Sequence, residues 1–85
     1  MKTFEYTIKD ELGIHVRPAG LLAKEGKKFS SKITLTAKGK TVEITKLMAL
    51  MGLGVKTGET VKIEITGDDE DAAYDAIKLF FDTTL

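Results

Sequence analysis

The 85-residue chain carries 13 basic and 13 acidic side chains, a single histidine and no cysteine. At this length one small domain over residues 1–85 can bury roughly 60% of its unfolded surface. Without cysteine there is neither a disulfide framework nor a thiolate metal site, and one histidine cannot build a zinc cluster. Charge balance argues against a general nucleic-acid binder. With no signal-peptide core at the start and no apolar run near the ~20 residues of a membrane span, the expectation is a cytoplasmic protein with no nucleic-acid or membrane partner, and a small exposed apolar patch taken up by partner docking makes it a monomer.

Phe4, Tyr6 and Ile8 alternate with Glu5, Thr7 and Lys9, the period of two expected of a half-buried strand. From Val16 to about Lys28, Ala19, Leu22, Ala23 and Gly26 fall at helical spacing. Pro18 sits in the first turn, where its missing N–H does no harm. Ile33, Leu35 and Ala37 alternate with Lys32, Thr34 and Thr36, and a Lys38-Gly39 turn leads to Val42 and Ile44, which predicts a hairpin.

Leu47 to Met51 reads as about one and a half turns of helix stopped at Gly52-Leu53-Gly54. After the Thr57-Gly58 turn, Val61, Ile63 and Ile65 alternate with polar residues up to Gly67. In the last helix Asp68, Asp69, Glu70 and Asp71 favour the positive dipole end, while Ala72, Ala73, Ala76, Ile77 and Phe80 supply the inward stripe. The tail after Phe81 is expected to fray. The order βαββαβα predicts an α+β two-layer sandwich: one antiparallel sheet, apolar on the face under the helices and wet on the other.

His15 is the residue with chemistry. Neutral imidazole is a nucleophile and proton carrier, and here it stands where a strand hands over to a helix whose first N–H groups favour an anion. Arg17 adds a charged planar fork suited to phosphate oxygens. Together they suggest a phosphorylatable histidine held by the helix start at Val16 and Arg17. A plain helix cap is the alternative for a lone histidine.

Arg17, Gly20, Lys24 and Lys27 recur on one face of the same helix, a pattern that also fits a solvated lysine face. Gly20 costs roughly 1 kcal/mol relative to alanine in a helix, which hints at a close approach there. Leu47, Met48, Leu50, Met51 and Leu53 are more apolar than so short a helix can bury on one side, so some are expected on a surface rimmed by Lys46 and Lys56. Flexible methionines suit such a surface, and also suit a core. No Walker-type glycine loop and no second base beside His15 support a kinase or hydrolase.

The run Gly13-Ile14-His15-Val16-Arg17-Pro18-Ala19, the segment Lys46 to Gly54 and the order of elements closely resemble HPr, the histidine-containing phosphocarrier family of the bacterial sugar phosphotransferase system. The resemblance spans essentially the whole chain. It implies an open-faced β-sandwich with a four-stranded antiparallel sheet and three helices, and no cofactor or metal. By the same likeness His15 takes a phosphoryl group at Nδ1 from enzyme I and gives it to IIA domains of sugar permeases, without turnover of its own, while Arg17 steadies the group. Gly20, Lys24, Lys27, Lys46, Leu47, Met48, Met51 and Leu53 would form the docking surface.

Lys46 stands where HPr proteins of low-GC Gram-positive bacteria carry a regulatory serine, so the hydroxyl that a dedicated kinase would modify is absent, and Thr45 is out of register with it. Val16 and Gly20 replace the alanine or threonine and the alanine common in the family. The competing readings are a regulatory or nitrogen-branch relative acting by protein binding, disfavoured by the presence of His15, and a small sheet-based binding module, for which no exposed aromatic or basic sheet is evident.

Overall fold

The computed structural model describes residues 1–85. Strands β1 (Lys2–Thr7), β2 (Lys32–Ala37), β3 (Lys40–Glu43) and β4 (Thr60–Thr66) alternate with helices α1 (Val16–Gly26), α2 (Leu47–Gly52) and α3 (Glu70–Thr84) in the expected order βαββαβα. The sheet runs β1-β4-β2-β3, with every neighbouring pair antiparallel.

Because side chains alternate along a strand, register decides which residues share a face. Phe4, Ile63, Leu35 and Val42 line up across all four strands on the helix side. Thr3, Glu64, Thr34 and Glu43 line up on the other, as do Glu5, Lys62, Thr36 and Thr41. The wet face is held by short polar pairs, Thr7 Oγ1 to Thr60 Oγ1 at 2.9 Å and Thr36 Oγ1 to Thr41 Oγ1 at 2.7 Å. Lys38 and Gly39 take φ of 56° and 78°, the paired positive values of the hairpin turn whose twist matches its strands.

Leu22, Leu35, Val61, Ile63, Ile65, Ile77 and Phe81 are fully buried, each contributing about 1.5–3 kcal/mol by leaving water. Phe81 meets Phe4 and Tyr6 edge-on, with ring centroids 5.6 and 5.4 Å away, the arrangement favoured by ring quadrupoles.

Three local expectations are corrected. The inward stripe of α3 is Ala73, Ile77 and Phe81, while Ala72 is exposed and Phe80 half-buried, so the helix is turned about one position from the expected phase. Its end does not fray: Leu85 is buried, and its carbonyl accepts from Lys9 N (2.7 Å) and Asp10 N (2.9 Å). Ile44 lies past the end of β3, buried, with its N–H donating to Ile33 O at 3.0 Å.

The acid cluster also divides its work. Glu70 accepts from Gly67 N at 3.2 Å, a reciprocal cap of its own helix. Asp69, the cap residue, instead reaches across to the start of β2, accepting from Ser30 N and Ser31 N, each at 2.9 Å, and from the Ser31 hydroxyl. Those donors, the Ser31 hydroxyl foremost and then Ser30 N–H, hold the Asp69 carboxyl below its ordinary value of 3.8.

A carboxyl held lower in the folded state than in the unfolded one contributes stability that is complete above the ordinary value and is lost as pH falls through the folded one. Asp69→Ala is therefore expected to lower the urea midpoint at neutral pH, with the gap from the parent narrowing below about pH 4. Glu70, held down by the Met1 amino group and Gly67 N–H, is present in both proteins and cancels. A gap that stays constant down to pH 2 would show that the Asp69 charge is not what ties α3 to β2.

Candidate functional site

The segment from Asp10 to His15 is shaped almost wholly by its backbone. Asp10 accepts twice locally: its Oδ1 takes Leu12 N at 2.8 Å and its carbonyl takes Gly13 N at 3.0 Å, an Asx turn stacked on a backbone turn. Gly13 then adopts φ +69°, and a Cβ there would stand 2.7 Å from Lys56 Cα and closer still to the Val55 carbonyl. Only glycine meets both demands. Ile14 N donates to Val55 O at 3.0 Å, and the Thr57 hydroxyl donates to Asp10 O, so the turn between α2 and β4 fixes the loop from behind.

His15 emerges as the cap residue of α1, extended at φ −97° and ψ −175°, its carbonyl accepting from Ala19 N at 2.9 Å while its side chain makes no capping bond. The alternative of a plain histidine cap is thus not what the side chain does. Pro18 has no N–H and Ala19 is satisfied, which leaves the Val16 and Arg17 N–H groups as the orphan donors of the first turn. No acidic side chain occupies that turn to compete for an anion.

The imidazole is about one-third exposed, with Nε2 3.9 Å from Asp10 Oδ1, within ion-pair reach but too long for a hydrogen bond. His15, Asp10, Arg17, Pro18, Leu21 and Thr84 line a shallow depression of about 310 Å³. A one-third-exposed nucleophile, two free N–H donors and a guanidinium lining one depression can take up and release a phosphoryl-sized dianion. No three His, Asp or Glu side chains converge anywhere as a metal cluster.

The residues expected on a surrounding surface separate into groups. Val16, Arg17, Lys24, Lys27, Lys46, Met48 and Met51 are exposed, and α2 packs beside α1. Leu47 is half-buried against the core. Leu53 is not a surface residue: it is buried in the core cluster, because the turn after α2 folds it inward. The close approach hinted at for Gly20 is likewise absent, since a Cβ there would meet nothing within 4 Å. It occurs at Gly26 instead, where a Cβ would lie 2.7 Å from Ile44 Cδ1.

Sequence reasoning passed over Asp10, Leu12, Leu21 and Thr84. Leu12 is 70% exposed and Leu21 46%. An apolar side chain in a polar turn was the available signal for Leu12, and an aspartate two residues before the amide it caps was the signal for Asp10. Thr84 gives no local signal, because only the packing of α3 brings it to the depression.

The family described as "PTS HPr component phosphorylation site" matches residues 2–83. The phosphocarrier protein HPr of Mycoplasma capricolum is 43% identical in an alignment covering all of this chain and 97% of that protein. A solved histidine-containing phosphocarrier protein from a study of Mycoplasma divergence superposes with a TM-score of 0.94 at 41% identity, over 98% of this chain and 94% of that one. An HPr dimer from Thermoanaerobacter tengcongensis matches with a TM-score of 0.77 at 37% identity, over 98% and 95%.

Two glycine substitutions separate backbone demand from surface freedom. Gly13→Ala is expected to destabilise by about 2 kcal/mol or more, since the left-handed conformation alone costs roughly 1–2 kcal/mol before the clash with the Val55 carbonyl. Gly20→Ala is expected to stabilise by about 0.5–1 kcal/mol. Urea unfolding of both checks the contrast, and a stable Gly13→Ala protein would remove the case for a glycine-dependent site loop.

Proposed function

The chain belongs to the HPr phosphocarrier family of the phosphotransferase system, and from that premise we propose that it accepts a phosphoryl group on His15 from phosphorylated enzyme I and passes it to sugar-specific IIA domains. The observation that carries this reading is the cap position of His15, with its side chain uncommitted and the Val16 and Arg17 N–H groups unpartnered beside it.

In the step, the lone pair of His15 Nδ1 forms a bond to phosphorus as the donor's bond to phosphorus breaks. Charge on the phosphoryl oxygens is met by the two N–H donors, in place beforehand, and by the exposed Arg17 guanidinium from the same depression. In onward transfer the Nδ1–P bond breaks and the acceptor's bond forms. The chain is substrate and product in turn rather than an enzyme, and needs no cofactor or metal.

Exposed Lys24, Lys27, Lys46, Met48 and Met51, with Gly20 and the half-buried Leu47, make a basic and apolar surface suited to partners that dock in alternation. Leu12 and Leu21 extend it on the site side. Lys46, at the cap of α2, gives a fixed positive charge where a regulatory serine would carry a hydroxyl. No helix is long and apolar enough to cross a membrane, and the reading places the relay in the cytoplasm, with the chain acting as a monomer.

Incubation with phosphoenolpyruvate and enzyme I, followed by intact-protein mass measurement, is expected to show an acid-labile phosphoryl adduct that His15→Ala abolishes without unfolding the protein. An adduct that survives His15→Ala would overturn the proposal. Arg17→Ala is expected to slow transfer about ten-fold, the equivalent of one charge-assisted hydrogen bond. An unchanged rate would leave the work to the backbone donors.

A further inference from the structure

His15 has one acidic neighbour, and that neighbour is held unusually firmly. Asp10 donates its N–H to Leu85 O (2.9 Å), accepts at its carbonyl from Gly13 N (3.0 Å) and the Thr57 hydroxyl, and accepts at Oδ1 from Leu12 N (2.8 Å). Three separate parts of the chain therefore fix the Asp10 backbone, and Leu12 N fixes its carboxylate 3.9 Å from His15 Nε2, on the wall of the same depression. The other charged group lining that depression, Arg17, has no partner carboxylate among the ion pairs of the protein.

We infer that Asp10 is a positioning residue for His15, holding the proton on Nε2 so that Nδ1 carries the lone pair that receives and releases the phosphoryl group. This deepens the phosphocarrier reading and rests on it. A carboxylate facing one ring nitrogen selects the tautomer protonated there, as carboxylate–histidine pairs do in metal and hydrolase sites. When Nδ1 bonds phosphorus, the ring with its Nε2 proton becomes cationic, and the Asp10 charge opposes loss of that proton. When the Nδ1–P bond breaks, the electron pair returns to Nδ1 and the ring leaves as neutral imidazole, still protonated at Nε2. Without that proton it would leave as imidazolate, a far poorer leaving group.

At 3.9 Å, with Oδ1 anchored by Leu12 N, the Asp10 carboxylate acts on the ring through its charge rather than through a hydrogen bond. Asp10→Asn retains an oxygen for the Leu12 amide and removes only the charge, and Asp10→Ser retains a shorter acceptor should the asparagine variant fail to fold.

The test is 15N spectroscopy of the His15 ring in the full chain at a pH where the ring is neutral, alongside transfer from phosphorylated protein to a IIA domain. The parent is expected to show the Nε2–H form almost alone. Asp10→Asn, with an otherwise parent-like amide spectrum, is expected to drift toward the tautomer mixture of a free histidine side chain and to transfer about ten-fold more slowly. A parent-like tautomer ratio in a folded variant overturns the inference. The ring measurement needs no phosphate: a shifted ratio in a chain that enzyme I never labels would uphold the Asp10–His15 coupling while sinking the carrier reading.

Discussion

The structure depends on a close backbone approach: Gly13 lies against the Val55 carbonyl and Lys56 Cα, with Ile14 N bonded to that same carbonyl. This contact joins the loop after β1 to the turn before β4, two segments far apart in sequence but led together by neighbouring strands. It sets where α1 begins. Because the direction of the first turn determines where its free N–H groups point, the contact also sets where an anion can be held beside His15. A strained, side-chain-free position at this point is thus a condition for the site rather than a flaw in the loop.

The sheet and α3 supply the frame for that contact. Burial of Phe81 among Phe4 and Tyr6 seats α3 on the β1 side of the sheet, and the carboxylate of Asp69 ties the start of the helix to the entry of β2. With both ends anchored, Leu85, the residue just past α3, accepts at its carbonyl from the amides of Lys9 and Asp10. Core packing at one end of the molecule is in this way transmitted to the loop that leads into His15, through main-chain hydrogen bonds that tolerate little movement.

A phosphoryl carrier must hold its cargo and also let it go. In the proposed relay the two requirements fall to different groups: backbone donors and one arginine for the charge, and a partly exposed imidazole for the bond. The surroundings remain open enough for partners, with Leu12, Leu21, Met48 and Met51 presented around or near α1 and α2 rather than packed away. Adaptable apolar side chains bordered by lysines favour contacts that form and dissolve readily.

Alternation of Phe4, Tyr6 and Ile8, of Ile33, Leu35 and Ala37, and of Val61, Ile63 and Ile65 determined the strands, since a period of two has no other economical solution. His15 followed by Arg17 and Pro18 determined a helix start with a histidine at its cap, because those choices act within a single turn. Other features were decided only by tertiary structure. Gly20 and Gly26 look alike in a helix, and only the arrival of Ile44 shows which one is needed for packing. Met51 in the last turn of α2 and Leu53 just after it look alike in sequence, and only the chain reversal buries Leu53 and leaves Met51 exposed. The phase of α3, the inward fate of Leu85, and the meeting of Asp10 with His15 likewise depend on contacts between residues distant in sequence, which local periodicity does not encode.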